Sequence, residues 1–417
     1  MKVLQVSTTA QLGGAGIAAY RLNTGLRSLG VDSWMLVNKK KQPDAHVISP
    51  GNNIDKALAQ FAPYVERIPG RLSRQQLDRV SPSWCPGRLL SRITAESPDI
   101  INLHWINDGF MRIETLPKIQ RPVVWTLHDM WAFCGGEHYV GKSTRYIEGY
   151  SADNHSSSEA GPDINRWIWR RKKKSWSRIS DMVIATPSKW LAECARQSDL
   201  FKYLRVEVMP NGVDHERFQS MDHVVARRIL GLPEDKKLVL FVEGSWNIDR
   251  RKGFHLLTEA LEKLEQVITP EEYQLVVLGK SFGKNTFAMK THYLGKLNDE
   301  ISMALVYAAA DVFVAPSIEE NLANTVLESL SCGTPVVAFD IGGMPDMIAH
   351  EKNGFLAPGF DTEAMARGIK WVVEDVSRWK DLSDQARATV VRSFTLQQSA
   401  SRYKELYLDI LQARSKH

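Results

Sequence analysis

Cysteine is scarce in this chain of 417 residues: there are four, Cys85, Cys134, Cys194 and Cys332, and no two are set as Cys-x-x-Cys. That scatter argues against a disulfide framework and against a structural zinc site, and it fits a reducing compartment. Long apolar runs are missing too, none reaching the roughly 18 residues that a membrane span needs. The N-terminus passes straight into a strand pattern, Val3-Leu4-Gln5-Val6, with no signal-peptide core before it, so a cytoplasmic protein is expected. No Asp-x-Asp occurs and no two histidines stand at i, i+4, so no metal is obviously provided for. No reader motif accompanies the basic residues, which sets nucleic acid aside.

What is present is globular material. Hydrophobic residues at 43% and charged residues at 24% exclude a disordered chain. The length exceeds what one hydrophobic core usually supports, so two domains are expected. The net charge of +5 is small but unevenly placed, because Arg170, Arg171, Lys172, Lys173 and Lys174 follow one another among Trp167, Trp169 and Trp176. Two readings of 166–178 stand side by side. One is a solvated helix face whose tryptophans pack on the body; the other is a peripheral contact with an anionic lipid surface or a lipid-linked phosphate.

Short β-branched runs alternate with stretches of helical periodicity, the pattern of parallel sheets covered by helices. Strands are expected at 2–7, 31–37, 99–103, 122–127 and 181–186, then at 238–242, 274–278, 312–315 and 335–339. After Gly13-Gly14, the positions Ala18, Leu22, Leu26 and Leu29 share a helical face that Gly30 ends. Turn signals at 209–214 place the domain joint, giving residues 1–208 and 209–396, with a terminal helix in 397–417 free to pack on either. Residues 140–162, polar and rich in serine and glycine, read as a mobile loop. Ligands of open parallel sheets bind outside the carboxyl ends of the strands, so two such sheets are expected to hold two substrates in a cleft.

The most informative stretch runs from Val312 through Ser317, Glu320, Asn321, Leu322, Asn324, Thr325 and Glu328. It reads as strand, loop and helix. Backbone N–H groups from Leu322 to Thr325 would open the helix and favour a phosphate there. Glu328, a turn into the helix, is placed for a ribose hydroxyl, and Glu320 for a sugar on the diphosphate. Taken alone, Glu320 reads equally well as a helix cap and Glu328 as a solvated side chain.

Together with Cys332-Gly-Thr-Pro-Val-Val-Ala-Phe-Asp-Ile-Gly-Gly343-Met-Pro-Asp346, this stretch resembles the donor-binding region of the retaining glycosyltransferase family 4, bacterial exopolysaccharide enzymes in particular. The likeness extends to Gly13-Gly14, Thr126-Leu-His128-Asp129, Pro210-Asn-Gly-Val-Asp214 and Arg251-Lys252-Gly253. It implies an α/β GT-B fold, two Rossmann-like doubly wound domains, the first for the acceptor and the second for the donor. By the same resemblance Glu320 faces the anomeric centre, Glu328 holds the ribose, Lys252 neutralises the diphosphate and His128 bonds the transferred sugar. Gly13 and Gly14 admit a close backbone approach, Leu297 meets the base through its backbone, and Arg251 or Arg250 replaces an arginine the family often carries where Trp246 stands. On the acceptor side Asp129, His104 and His138 are candidates. The implied reaction is hexose transfer, glucose foremost, from a UDP-sugar to a saccharide or lipid-linked saccharide at the inner face of the cytoplasmic membrane, with no cofactor or metal.

Two other classes remain open at this level. Gly14-Ala-Gly16-Ile-Ala-Ala19 fits the dinucleotide fingerprint of an NADP-dependent oxidoreductase, although Val37-Asn38-Lys39 lacks the acidic residue for an NAD ribose. A non-catalytic sugar-nucleotide-binding protein of the same fold is the other.

Overall fold

The structure is a computed structural model that describes residues 1–69, 80–155, 161–179, 181–242, 250–279, 287, 289–297 and 299–415. It divides into two compact units, Met1–Pro210 with Ser399–His417, and Asn211–Gln398.

Among the described residues the first unit carries one parallel sheet of seven strands. Their spatial order is Val47–Ile48, Asp32–Leu36, Lys2–Val6, Ile100–Leu103, Val123–Thr126, Val183–Thr186 and Arg205–Val208. From Lys2–Val6 the chain first builds one way to Asp32–Leu36, then returns to lay Ile100–Leu103 on the other side. That reversal is a topological switch point, where open α/β sheets leave a crevice at the carboxyl ends of their strands. Inner strands such as Ile-Ile-Asn-Leu and Val-Val-Trp-Thr are buried at every position, as both faces carry helices.

The helix Leu396–Arg414 reaches the first unit from Ser399 onward, its Tyr403, Leu406 and Tyr407 packing with Val3, Leu22, Leu26 and Val124. Two tyrosine hydroxyls anchor it: Tyr407 bonds the Asn102 side-chain amide at 2.8 Å, and Tyr403 bonds Thr126 Oγ1 at 3.0 Å. A buried phenol needs such a partner, and polar residues inside apolar strands supply it.

The second unit has a six-stranded parallel sheet among the described residues, ordered Thr291–Gly295, Tyr273–Leu278, Lys237–Val242, Val312–Ala315, Val336–Phe339 and Gly354–Ala357. Its switch point lies between Lys237–Val242 and Val312–Ala315. Two apolar clusters cover the two faces, one centred on Leu240, Tyr307 and Leu327, the other on Phe241, Leu257 and Ile369.

For two expectations the structure adds detail. The polar stretch expected as a mobile loop at 140–162 is built, over its described residues, around buried Arg145. That guanidinium bonds Asp163 at 2.5 Å and Asn154 at 3.1 Å, and stacks 4.5 Å over the Tyr150 ring. The basic run forms a helix, Ile164–Trp176, with Arg170, Lys173 and Lys174 exposed on its outer side while Arg171 is half-buried and Lys172 buried. Arg171 bonds Glu114, Lys173 bonds Asp199, and Lys172 is fully buried, donating to the carbonyls of Trp131, Cys134 and Gly135. Burial pulls the Lys172 pKa down to about 7. Trp169 and Trp176 are buried, as expected of tryptophans packing on the body, and Trp167, Arg170, Lys173 and Lys174 stay exposed.

Candidate functional site

In the second unit the loop after Val312–Ala315 is held by two glycines that tolerate no side chain. Gly253 adopts φ +69°, and a Cβ there would lie 1.7 Å from the Pro316 carbonyl oxygen. Gly342 adopts φ +53°, and a Cβ there would lie 2.1 Å from the Glu320 carbonyl oxygen. Both conformations favour glycine for lack of a Cβ. Ile318 N–H donates to the Arg251 carbonyl at 2.7 Å, and Gly343 N–H to the Glu320 carbonyl at 3.1 Å. The turn Arg250–Lys252 is thereby fastened to one end of the loop and Gly342-Gly343 to the other.

This framing brings two candidate side chains into contact. Lys252 Nζ donates to Glu320 Oε2 at 2.5 Å, with the carboxylate nearly buried and the ammonium partly exposed. Glu320 is therefore an ion-pair partner rather than a helix cap. The helix itself runs Asn324–Ser331 behind Ala323, a residue with no side-chain oxygen to offer its opening N–H groups. Asn321 and Leu322 are buried before it, Leu322 in the apolar core, while Asn324 receives the Asn211 amide at 3.4 Å and Thr325 is partly exposed. Glu328 is buried rather than solvated, and accepts the Tyr307 hydroxyl at 3.1 Å. Leu297 packs its side chain on the same core. Trp246 lies outside the described residues.

The first unit gathers the four polar candidates into two pairs at the carboxyl ends of Ile100–Leu103 and Val123–Thr126. His104 Nε2 faces Gln5 Oε1 at 2.8 Å, and His104 Nδ1 faces His128 Nε2 at 3.0 Å. With Gln5 accepting, His104 keeps its proton on Nε2 and accepts from His128 Nε2–H, so neutral His128 has an acceptor at Nδ1. The second pair is Asp129 Oδ2 with His138 Nδ1 at 2.7 Å, extended by His138 Nε2 to Ser81 Oγ at 2.9 Å. Asp129 also accepts Trp105 Nε1 at 3.1 Å and the Trp131 N–H at 2.9 Å. One small pocket is lined by His104, Trp105, His128, Asp129 and Trp131. Gln5, Ser81 and Trp105 were not singled out from sequence. Gln5 alone left a signal there, as a polar residue within an apolar strand.

Gly13 and Gly14 open the helix Gly13–Ser28 at an exposed position, Gly13 at φ +67° with open space where a Cβ would stand. Within the chain itself the tight contact is at Gly16, where a Cβ would lie 2.5 Å from Thr9 Oγ1.

Burial governs the protonation of the histidine pair. Desolvation lowers the His128 pKa to about 4 and holds His104 well below its ordinary value, with His128 adding to the effect on His104. Asp129 is held below the usual carboxylate range: desolvation pushes it up, but the His138 contact, the Trp131 N–H and His128 together pull it down further. Histidines protonated at about 6.5 when unfolded but neutral when folded destabilise the fold as pH falls. Stability is therefore expected to be undiminished by this pair above about pH 6.5 and to drop between there and about 4. The slope is up to about 1.4 kcal/mol per pH unit for each histidine. Urea midpoints at pH 7 and pH 5 read this directly, and a His128→Gln protein should show a shallower fall.

Comparison with known proteins gives two family matches that lie end to end: "Glycosyltransferase Family 4" over residues 12–217 and "Glycosyl transferases group 1" over residues 225–389. A D-inositol 3-phosphate glycosyltransferase of Xylanimonas cellulosilytica is 32% identical over 50% of this chain and 52% of its own, so the match spans about half of each. TuaC of Bacillus subtilis, named for teichuronic acid biosynthesis, is 25% identical over 86% of this chain and 82% of its own. Among solved structures, a sucrose-phosphate synthase from Thermosynechococcus elongatus matches with TM-score 0.67 at 17% identity, over 99% of this chain and 100% of that one. Anabaena HepE in complex with UDP and glucose matches with TM-score 0.62 at 17% identity, over 97% and 99%. These likenesses show the GT-B fold, and with the two family matches spanning nearly the whole sequence they establish that the chain belongs to the group 1, family 4 glycosyltransferases.

Proposed function

We propose that this glycosyltransferase moves a hexose, glucose foremost, from a UDP-sugar to a saccharide or lipid-linked saccharide with retention at the anomeric carbon, in the assembly of an extracellular polysaccharide. The observation that carries the reading is the Lys252–Glu320 contact on a loop that opens into an uncapped helix, with Glu328 buried in that helix. Lys252 and the helix N-terminus meet the negative charge of the departing diphosphate, with Arg250 or Arg251 adding to it, and Glu320 meets the positive charge on the sugar ring. Protein cations do this without a metal. Glu328 takes the ribose. In the first unit, neutral His128 accepts from a sugar hydroxyl at Nδ1, and Asp129 with His138 faces the acceptor. Two neighbours support the choice of donor and product class: HepE is known in complex with UDP-glucose, and TuaC is named for teichuronic acid biosynthesis. The family matches set the oxidoreductase alternative aside.

A donor screen that reads UDP or GDP released from each nucleotide-sugar tests this. UDP-glucose is expected to be hydrolysed slowly alone and faster with an acceptor, and the product should keep the donor's anomeric configuration. Acceptors tried should include an inositol phosphate, given the relatives' names. A release of GDP only, or an inverted product, would overturn the donor or the stereochemistry. No release from any donor, with Glu320→Ala changing nothing, would make the protein a binding module.

A further inference from the structure

The helix Asn53–Glu66 turns its apolar side chains outward. Ile54 is 62% exposed, Phe61 61%, Tyr64 66% and, just past the helix, Ile68 46%, with Val65 beside them. Positions 54, 61, 65 and 68 recur at helical spacing, so they form one stripe rather than scattered exposure. The two acidic residues of the same segment are drawn inward. Asp55 has its side chain 10% exposed against Arg88 at 3.6 Å, and Glu66 is buried, accepting the Ser83 N–H. A carboxylate is cheaper to leave in water than to bury, and among the described residues of this segment no acid is left on the outward face. What it keeps beside the apolar stripe is Lys56, Gln60 and Arg67, all exposed.

We propose that this face is an interfacial helix which lies on a bilayer carrying anionic headgroups. The apolar side chains enter the boundary between headgroups and acyl chains, and Lys56 and Arg67 reach the phosphates with their long stems along the surface. A second copy of the chain fits the face poorly. A twofold contact places the same patch on both sides, so Lys56 and Arg67 would meet their own kind with no outward acid to pair them. The exposed basic residues of 166–178, Arg170, Lys173 and Lys174, lie on a separate helix, and the apolar stripe distinguishes the face proposed here. Among the described residues no helix is long and apolar enough to cross a membrane, so contact of this kind lies along the surface.

Sedimentation of the full chain with phosphatidylcholine vesicles, with and without phosphatidylglycerol, is the test. The protein should pellet with the anionic vesicles at low salt and less so as salt rises. Phe61→Asp should weaken that binding about tenfold, the loss of one aromatic side chain's burial. The pair Lys56→Glu and Arg67→Glu should abolish the preference for phosphatidylglycerol. Arg170→Glu with Lys174→Glu should leave binding in place. Phe61 is already solvent-exposed, so Phe61→Asp should keep its circular dichroism and its release of nucleotide from a donor in solution, which separates this test from that of the transfer reaction. Failure of the folded protein to pellet overturns the proposal. So does loss of binding in the Arg170 and Lys174 variant alone, or a Phe61→Asp protein that turns from dimer to monomer while vesicle binding stays the same.

Discussion

Glu320→Gln is expected to slow nucleotide-sugar turnover by about 100- to 1,000-fold, and at the same time to bind UDP about fivefold more tightly. The two effects come from one contact. Lys252 Nζ rests 2.5 Å from the Glu320 carboxylate. A diphosphate that needs the ammonium has to draw it from another anion. Glutamine keeps the shape and the hydrogen-bond acceptor but removes the charge, so Lys252 turns to the phosphates at less cost. Its side chain is 38% exposed, and water screens the pair to about 1 kcal/mol, which is roughly fivefold in affinity. Turnover falls because the sugar loses the carboxylate that meets its positive charge in the transition state. Titration calorimetry with UDP reads the first effect and donor hydrolysis the second. Lys252→Met should weaken UDP binding, and in that background Glu320→Gln should change it no further, since the competition needs both partners. Unchanged or weaker UDP affinity in Glu320→Gln would overturn the competition; undiminished turnover would overturn the role of Glu320.

The inner strands were legible in the sequence because they are buried on both faces and read as apolar runs, among them Val312–Ala315 and Val336–Phe339. Six strands among the described residues were not: Val47–Ile48, Arg205–Val208, Thr291–Gly295 and Gly354–Ala357, each at the edge of a large sheet, and Thr9–Ala10 and Lys39–Lys40, which pair only with each other. An edge strand pairs on one side and is partly exposed, so its residues need not be uniformly apolar; Arg-Val-Glu-Val alternates instead. Composition misled for a related reason at 170–174. It counts charge but not direction, and the helix turns Lys172 into the core while its neighbours stay nearer the surface. At the candidate site, sequence reasoning named His104, His128, Asp129 and His138 singly. Their pairing depends on Gln5, Ser81 and Trp105, which come from distant segments and have no spacing that marks them. The Lys252–Glu320 contact was hidden likewise, because two glycines far apart in the chain bring its loops together.

Lys172→Met is expected to destabilise the first unit by about 3–5 kcal/mol. Lys172 is fully buried on the helix Ile164–Trp176 and lies 3.6 Å over the Trp131 ring. Its ammonium donates to the carbonyls of Trp131, Cys134 and Gly135, the last at 2.7 Å. Three acceptors matched to three N–H donors use the whole group. Methionine fills the volume but leaves all three carbonyls short of that donor, at about 1–3 kcal/mol for each one left unsatisfied in the interior. Arginine should not rescue the fold, because its planar fork is wider than an ammonium held at a point. The held segment begins two residues after Asp129 and ends three before His138, so loosening it should disturb their 2.7 Å contact as well as stability. Urea unfolding followed by tryptophan fluorescence reads the first effect, since Trp125, Trp131 and Trp176 pack together beside Lys172. A Lys172→Met protein within about 1 kcal/mol of the parent would show that water or a shifted donor satisfies these carbonyls instead. The buried lysine would then be dispensable to the loop that carries Asp129 and His138.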